Sequence, residues 1–188
     1  NGRDFAVLIA GQRREIDAVI IHPEFDLKNA ADVDLALLRF KQASTTPQAM
    51  PLYLEELESD SIVTLLGWGY FGLGTTGRQY NDGILRLAMN RITDVDRRFR
   101  IRFDDPRDPA SQALPLEGMP SLGDSGGPAL LENENGLFLV GITVGEVTAV
   151  DFSEETQGKY GAVAVYESVA LQLDWIEAVI GSSVPFDS

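Results

Sequence analysis

Cysteine is absent from all 188 residues, which excludes a disulfide, a thiolate metal site and a cysteine nucleophile. Histidine occurs once, at position 22, so a metal centre built on several histidines is excluded too. Basic residues are scarce: fifteen Lys and Arg stand against twenty-nine Asp and Glu, a net charge of −14. That balance opposes docking on a phosphate backbone and favours solubility or attraction of basic partners, so no nucleic-acid partner is expected. Long apolar runs are lacking as well. Runs such as Ala18-Val19-Ile20-Ile21 are strand-sized, far short of the ~18 residues of a membrane helix, so no membrane partner is expected. Nothing at Asn1 reads as a signal peptide; either none existed or the chain has been trimmed.

What is present is the make-up of an ordinary globular protein, 44% hydrophobic and 23% charged, with chain enough for one large domain or two small ones. Most of it reads as short strands. Residues 5–9 and 16–21 are β-type runs around a polar stretch, Gly11-Gln12-Arg13-Arg14, which suggests a hairpin. His22-Pro23-Glu24-Phe25-Asp26 breaks the second run, because proline has no ladder donor and holds its predecessor extended. Residues 33–40 form a further strand with one carboxylate, Asp34, set into an apolar run. Leu85, Leu87 and Met89 alternate with Arg86, Ala88 and Asn90, and Phe99, Ile101 and Phe103 alternate with Arg98, Arg100 and Arg102. Both read as half-buried strands with one wet face. Residues 104–120 are loop-like, and 137–144 and 162–166 are further strands. Only the C-terminus is helical: Val169, Leu173, Ile176 and Ile180 make an apolar stripe at helical period, Trp175 packs, and Gly181 ends the helix. The polar stretch at 41–51 and the acidic run at 55–60 mark a linker between residues 1–54 and 61–166, with the helix over 167–181.

Gly123-Asp124-Ser125-Gly126-Gly127-Pro128 places a serine hydroxyl between glycines, where the backbone turns sharply and offers N–H groups to a reacting oxygen. The same composition also makes ordinary surface turns. As a nucleophile, Ser125 needs a base to take its proton and a carboxylate to hold that base, and the buried-looking Asp34 is the candidate carboxylate. Read as G-x-S-x-G, the loop is the nucleophile elbow of an α/β-hydrolase, whose histidine follows the serine. No histidine follows Ser125, and a strand-rich chain opposes an α/β sheet.

The order His, Asp, Ser fits instead, and here the chain resembles the trypsin-like serine proteases of the chymotrypsin type. Four stretches carry the resemblance: Asp34-Leu35-Ala36-Leu37-Leu38, Gly67-Trp68-Gly69, the serine loop, and Val165-Tyr166 followed by Trp175-Ile176. Asp34 precedes Ser125 by 91 residues, against about 93 in the chymotrypsin template. The resemblance implies an all-β fold of two antiparallel six-stranded β-barrels, the first incomplete in this chain, with a C-terminal α-helix packing on them. Residues 1–54 would be the remainder of the N-terminal barrel and 61–166 the C-terminal one. It further implies a serine endopeptidase acting on polypeptides through an acyl-enzyme on Ser125, with Asp34 as the buried acid. The N–H groups of Gly123 and Ser125 would form the oxyanion hole, and Asp124 would receive a new N-terminal ammonium on activation. No cofactor and no metal are implied, and the setting would be secreted or periplasmic.

The family pattern departs in one place that matters. The template sets its histidine about 45 residues before the aspartate, which falls roughly a dozen residues upstream of Asn1. His22 lies only 12 residues before Asp34, in a turn that the family uses without catalysis. The expectation is therefore a separate N-terminal segment of the same precursor that completes the first barrel and brings the base, without which the chain is nearly inactive. Met119 falls at the base of the family's primary pocket, Val144, Gly145 and Glu146 along its wall with the register slipping by one, and Ala164 where a glycine is usual. An apolar, adaptable methionine in place of an aspartate points to a medium apolar side chain at the cleavage position. The competing reading is a protease-like binding module with no catalytic function.

Overall fold

Residues 6–29, 32–147 and 157–181 are described by the computed structural model, and they divide between two units. One unit lies within residues 1–50 and 174–187, the other within 51–173.

In the first unit, β1 (Ala6–Ile9) and β2 (Gln12–Ile21) form a hairpin in which Ile9 pairs with Gln12. The two linking residues, Ala10 and Gly11, have φ of 50° and 75°, the left-handed pair that lets a two-residue loop match the strand twist. The polar residues 12–14 thus belong to β2 and not to the turn. β3 (Ala36–Phe40) pairs with β2, giving the sheet order β1-β2-β3 among the described residues. One face of β2, with Ile16, Ala18 and Ile20, is half-buried; the other is open. Val19 lies opposite Leu38 on the open face and both are 47% exposed, with Leu8 at 76% and Ile21 at 57%. The helix α1 (Leu173–Ile180) ends as the sequence implies: Gly181 has φ of 67° and its N–H donates to the Glu177 carbonyl. No helix among the described residues is long and apolar enough to cross a membrane.

The second unit is built on a closed six-stranded barrel. Its strands are β4 (Ile62–Gly67), β7 (Arg86–Val95), β8 (Arg98–Arg102), β9 (Pro128–Asn133), β10 (Gly136–Val147) and β11 (Val163–Ser168), in the closed order β10-β11-β8-β7-β4-β9. Closure leaves no unpaired barrel edge and a single interior. Val63, Ile92, Phe99, Ile101, Ala129, Ala164 and Tyr166 fill it at 0% exposure. The Phe99 and Tyr166 rings stack at 4.9 Å, nearly parallel, and Gly141 makes room for them, since a Cβ there would lie 2.4 Å from Phe99. Across the same strands, buried Glu167 pairs with Arg98, whose Nε donates to Oε1 at 2.6 Å. Residues 51–57 join this unit through Tyr53 N–H to the Leu139 carbonyl, Leu139 N–H to the Pro51 carbonyl, and buried Leu57.

β7 corrects the sequence pattern. Leu85 and Leu87 are 47% and 53% exposed, while Asn90 and Ile92 point into the barrel. Pairing decides this: Asn90 lies opposite Val63 and Ile92 opposite Ile101, both core residues, so parity along the strand sends the leucines outward. Asn90 is satisfied inside by donating to the Gly118 carbonyl and accepting from Arg91 N–H. Between β4 and β7 lies a small hairpin of β5 (Phe71–Leu73) and β6 (Gly77–Tyr80).

Truncating Phe99 to alanine removes the stacked ring at the barrel centre and should cost about 3–5 kcal/mol. Urea titration should show a lower midpoint with an unchanged slope; a loss under about 1 kcal/mol would contradict this core assignment.

Candidate active site

Ser125 sits on the exposed crest of a loop that leads into β9. The loop is pinned to β10 at one residue: the Thr143 carbonyl accepts from Gly126 N–H at 2.8 Å, while Thr143 N–H and hydroxyl donate to the Gly127 carbonyl at 2.9 and 3.0 Å. Two turns close around it, Asp124 N–H to the Ser121 carbonyl at 3.0 Å and Gly127 N–H to the Asp124 carbonyl at 2.9 Å. Gly123 and Gly126 have φ of 93° and 80°, which explains glycine at both places. With Asp124, Gly126 and Gly127 amides consumed, those of Gly123 and Ser125 make no hydrogen bond among the described residues. Two unused donors thus lie beside an exposed hydroxyl.

Asp124 turns away from Ser125. Its Oδ1 accepts from Gly69 N–H at 2.7 Å and its Oδ2 from Ser121 N–H at 2.8 Å. The carboxylate expected to meet an ammonium is thus bonded by two backbone amides.

A cavity of about 160 Å³ opens beside Ser125, lined by Pro120, Leu122, Thr143, Gly145, Glu146 and Arg78 among others. Glu146 Oε2 accepts Gly158 N–H at 3.1 Å. Burial holds the Glu146 carboxyl above its ordinary titration range, against the pull of that N–H and of the Arg78 charge. Val144 is the extra residue of a bulge in the pairing of β10 with β11, between Thr143 opposite Tyr166 and Gly145 opposite Val165.

Two expected pocket residues lie elsewhere. Ala164 is fully buried in the barrel core, and Met119 packs against that core and lines a neighbouring cavity of about 200 Å³ that also touches Asp124 and Tyr166. Ala164 is claimed by burial, while Met119 is only partly buried and keeps one side on that cavity. The Tyr166 hydroxyl, enclosed there, is pushed upward in pKa mainly by burial. Arg78 was not legible in advance: it reaches the Ser125 cavity because β6 packs its amide on the Gln157 carbonyl, a pairing distant in sequence. Among the described residues no cluster of three metal-binding side chains occurs.

Asp34 belongs to the first unit, in an irregular segment before β3 and beside buried Val33. It is exposed, not buried as its apolar neighbours suggested, because the strand starts only at Ala36 and the sheet does not extend over it. His22 in the same unit is committed to packing. The residue is 7% exposed, and its ring meets Trp175 edge-on at 4.6 Å and accepts Glu24 N–H on Nδ1 at 3.2 Å.

Comparison with known proteins agrees with this geometry. The family model described as Trypsin matches residues 4–176. A CLIP domain-containing serine protease, B15 of Anopheles gambiae, is 28% identical over 183 residues, covering 88% of this chain and 46% of that protein. The chain therefore spans about half the length of this curated relative. The fold is similar to that of mouse neuropsin, a serine protease expressed in the limbic system, with a TM-score of 0.66 at 18% identity over 90% of this chain and 72% of the other.

Glu146→Gln keeps a carbonyl for Gly158 N–H and removes the titration. Because the folded value lies above the ordinary 4.5, the stabilising contribution of Glu146 is complete below that value and is lost as pH rises through the folded one. The stability of the native protein relative to the variant should fall as pH rises past the ordinary carboxyl value of 4.5, read by chemical denaturation. A difference that rises there would contradict the assignment.

Proposed function

Starting from a chain that belongs to the trypsin family of serine proteases, we propose an endopeptidase that cleaves polypeptides through an acyl-enzyme on Ser125. The observation that carries this reading is the pair of unused N–H groups, Gly123 and Ser125, flanking an exposed hydroxyl. Ser125 Oγ attacks the scissile carbonyl, its proton passes to an imidazole, and the oxygen that becomes anionic is met by those two amides. The imidazolium then protonates the leaving amine, and water releases the acyl group by the reverse sequence.

The imidazole in this account is not His22, whose ring is buried against Trp175. It comes from a segment of the same precursor outside these 188 residues, with Asp34 as the carboxylate that orients it. The open apolar face with Leu8, Val19, Ile21 and Leu38 supports such a segment, because its strands would cover side chains that otherwise lose stabilisation in water. In isolation the chain would retain the oxyanion hole without the base, so its catalysis would be only about 10³–10⁴ over water. A secreted or periplasmic setting follows from the family.

For the cleavage position we propose a medium apolar side chain. The cavity beside Ser125 is small, and Pro120 and Leu122 give it apolar walls, a role first assigned to Met119.

The test is a panel of peptides differing only at the cleavage position, offered to the full precursor after processing. Leu and Met peptides should be cleaved about 10-fold or more faster than Arg peptides, one apolar pocket being worth that much discrimination. Ser125→Ala should abolish turnover, a loss on the order of 10⁶ in kcat. Faster cleavage after Arg overturns the specificity, and turnover surviving in Ser125→Ala overturns the mechanism.

A further inference from the structure

We infer that Arg78 is a specificity-determining residue of the Ser125 cavity: its guanidinium offsets the Glu146 carboxylate and so denies the cavity to Lys and Arg side chains of a polypeptide substrate. The inference rests on the protease reading above and names a residue that sets its apolar preference.

The hairpin of β5 and β6 brings Arg78 there. Phe71 lies opposite Tyr80 and Gly72 opposite Arg78, so Gln79 is the extra residue of a bulge, and a bulge re-aims the side chains beside it. Gly77, one residue earlier, is buried with φ of 76°, and a Cβ there would lie 2.5 Å from the Gln157 carbonyl oxygen. Glycine thus lets β6 close on residues 157 and 158, and Arg78 N–H donates to that same carbonyl at 3.3 Å. The guanidinium stands 6.0 Å over the Tyr70 ring.

Glu146 reaches the same place from β10, and the two side chains meet at Gly158. Gly158 N–H donates to Glu146 Oε2 at 3.1 Å, and a Cβ on Gly158 would lie 3.4 Å from the Arg78 amide nitrogen and 3.9 Å from Arg78 Cβ. Among the described residues that line the cavity with Ser125, Arg78 carries the one positive charge and Glu146 the one negative. Burial raises the Glu146 carboxyl, while the Gly158 N–H and the Arg78 charge draw it back down, so the two charges feel each other.

A half-buried carboxylate beside apolar walls is what a Lys or Arg side chain fits best: Pro120 and Leu122 would take the stem and Glu146 the head. The net charge of −14 adds to that attraction. Arg78, which is always protonated, already supplies the cation. An incoming base therefore meets like charge at close range, and an apolar side chain does not.

The test is the ratio of kcat/KM for Arg over Leu peptides in the processed protein. Arg78→Met keeps the length of the side chain and removes its charge, and the ratio should rise about 10-fold or more. Arg78→Lys keeps the charge and should leave the ratio near that of the native protein. Adding Glu146→Gln to Arg78→Met should cancel the rise, because the uncovered carboxylate is what attracts the base. An unchanged ratio in Arg78→Met, an equal rise in Arg78→Lys, or a rise that survives Glu146→Gln overturns the inference.

A second measurement needs no turnover. n-Butylguanidinium, titrated while the Gly145 and Gly158 amides are followed by NMR, should bind Arg78→Met about 10-fold more tightly than the native protein. Equal affinities overturn the inference. The expected difference in a protein that cuts no peptide refutes the protease reading and leaves the role of Arg78 in the cavity standing.

Discussion

Thr143 holds the serine loop against β10 with three hydrogen bonds, one accepted from Gly126 and two donated to Gly127. Everything proposed for Ser125 depends on that attachment. It anchors one end of the loop to a strand of a closed barrel, so the loop inherits the rigidity of a packed core and not the mobility of a surface turn. It also uses up the Gly126 amide directly after the serine, while the Gly127 amide is taken by the Asp124 carbonyl. The barrel in turn rests on Phe99 stacked on Tyr166, with Gly141 of the same β10 giving the ring its space.

Electrostatics follow from the same placement. Net charge is strongly negative, yet the carboxylates near the loop are each tied to particular donors: Asp124 to Gly69 and Ser121, Glu146 to Gly158. Partly buried carboxylates are tolerated because backbone N–H groups replace the water they lose. The first unit presents the opposite case, a small sheet with apolar side chains facing solvent, and this is where the proposed N-terminal segment would act.

How much of this was written in the sequence depends on whether a feature is local. β8 was legible because Phe99 and Ile101 alternate with arginines and do face the core. The helix end at Gly181 and the glycines at 123 and 126 follow from local backbone chemistry. β7 was not legible, since the inward face was set by pairing with β4 and β8, and the more apolar face of the strand is the wet one. The bulge at Val144 was not legible either, since no composition announces it. Met119 and Ala164 read as pocket residues by position; Ala164 is fully buried in the barrel core and Met119 packs on that core and lines the cavity next to Ser125's, while Arg78 entered the site through a contact with Gln157. Gly67-Trp68-Gly69 was visible as a landmark, but its meaning required Asp124 to be placed beside it.

The central claim is that Ser125 is a nucleophile served by an oxyanion site. The most direct measurement is treatment of the full-length, processed protein with a fluorophosphonate, followed by mapping of the adduct by mass spectrometry. The account predicts a single stoichiometric adduct on Ser125, formed faster than with the 188-residue chain alone and absent in Ser125→Ala. A folded, processed protein that leaves Ser125 unlabelled, or is labelled at another residue, would contradict it.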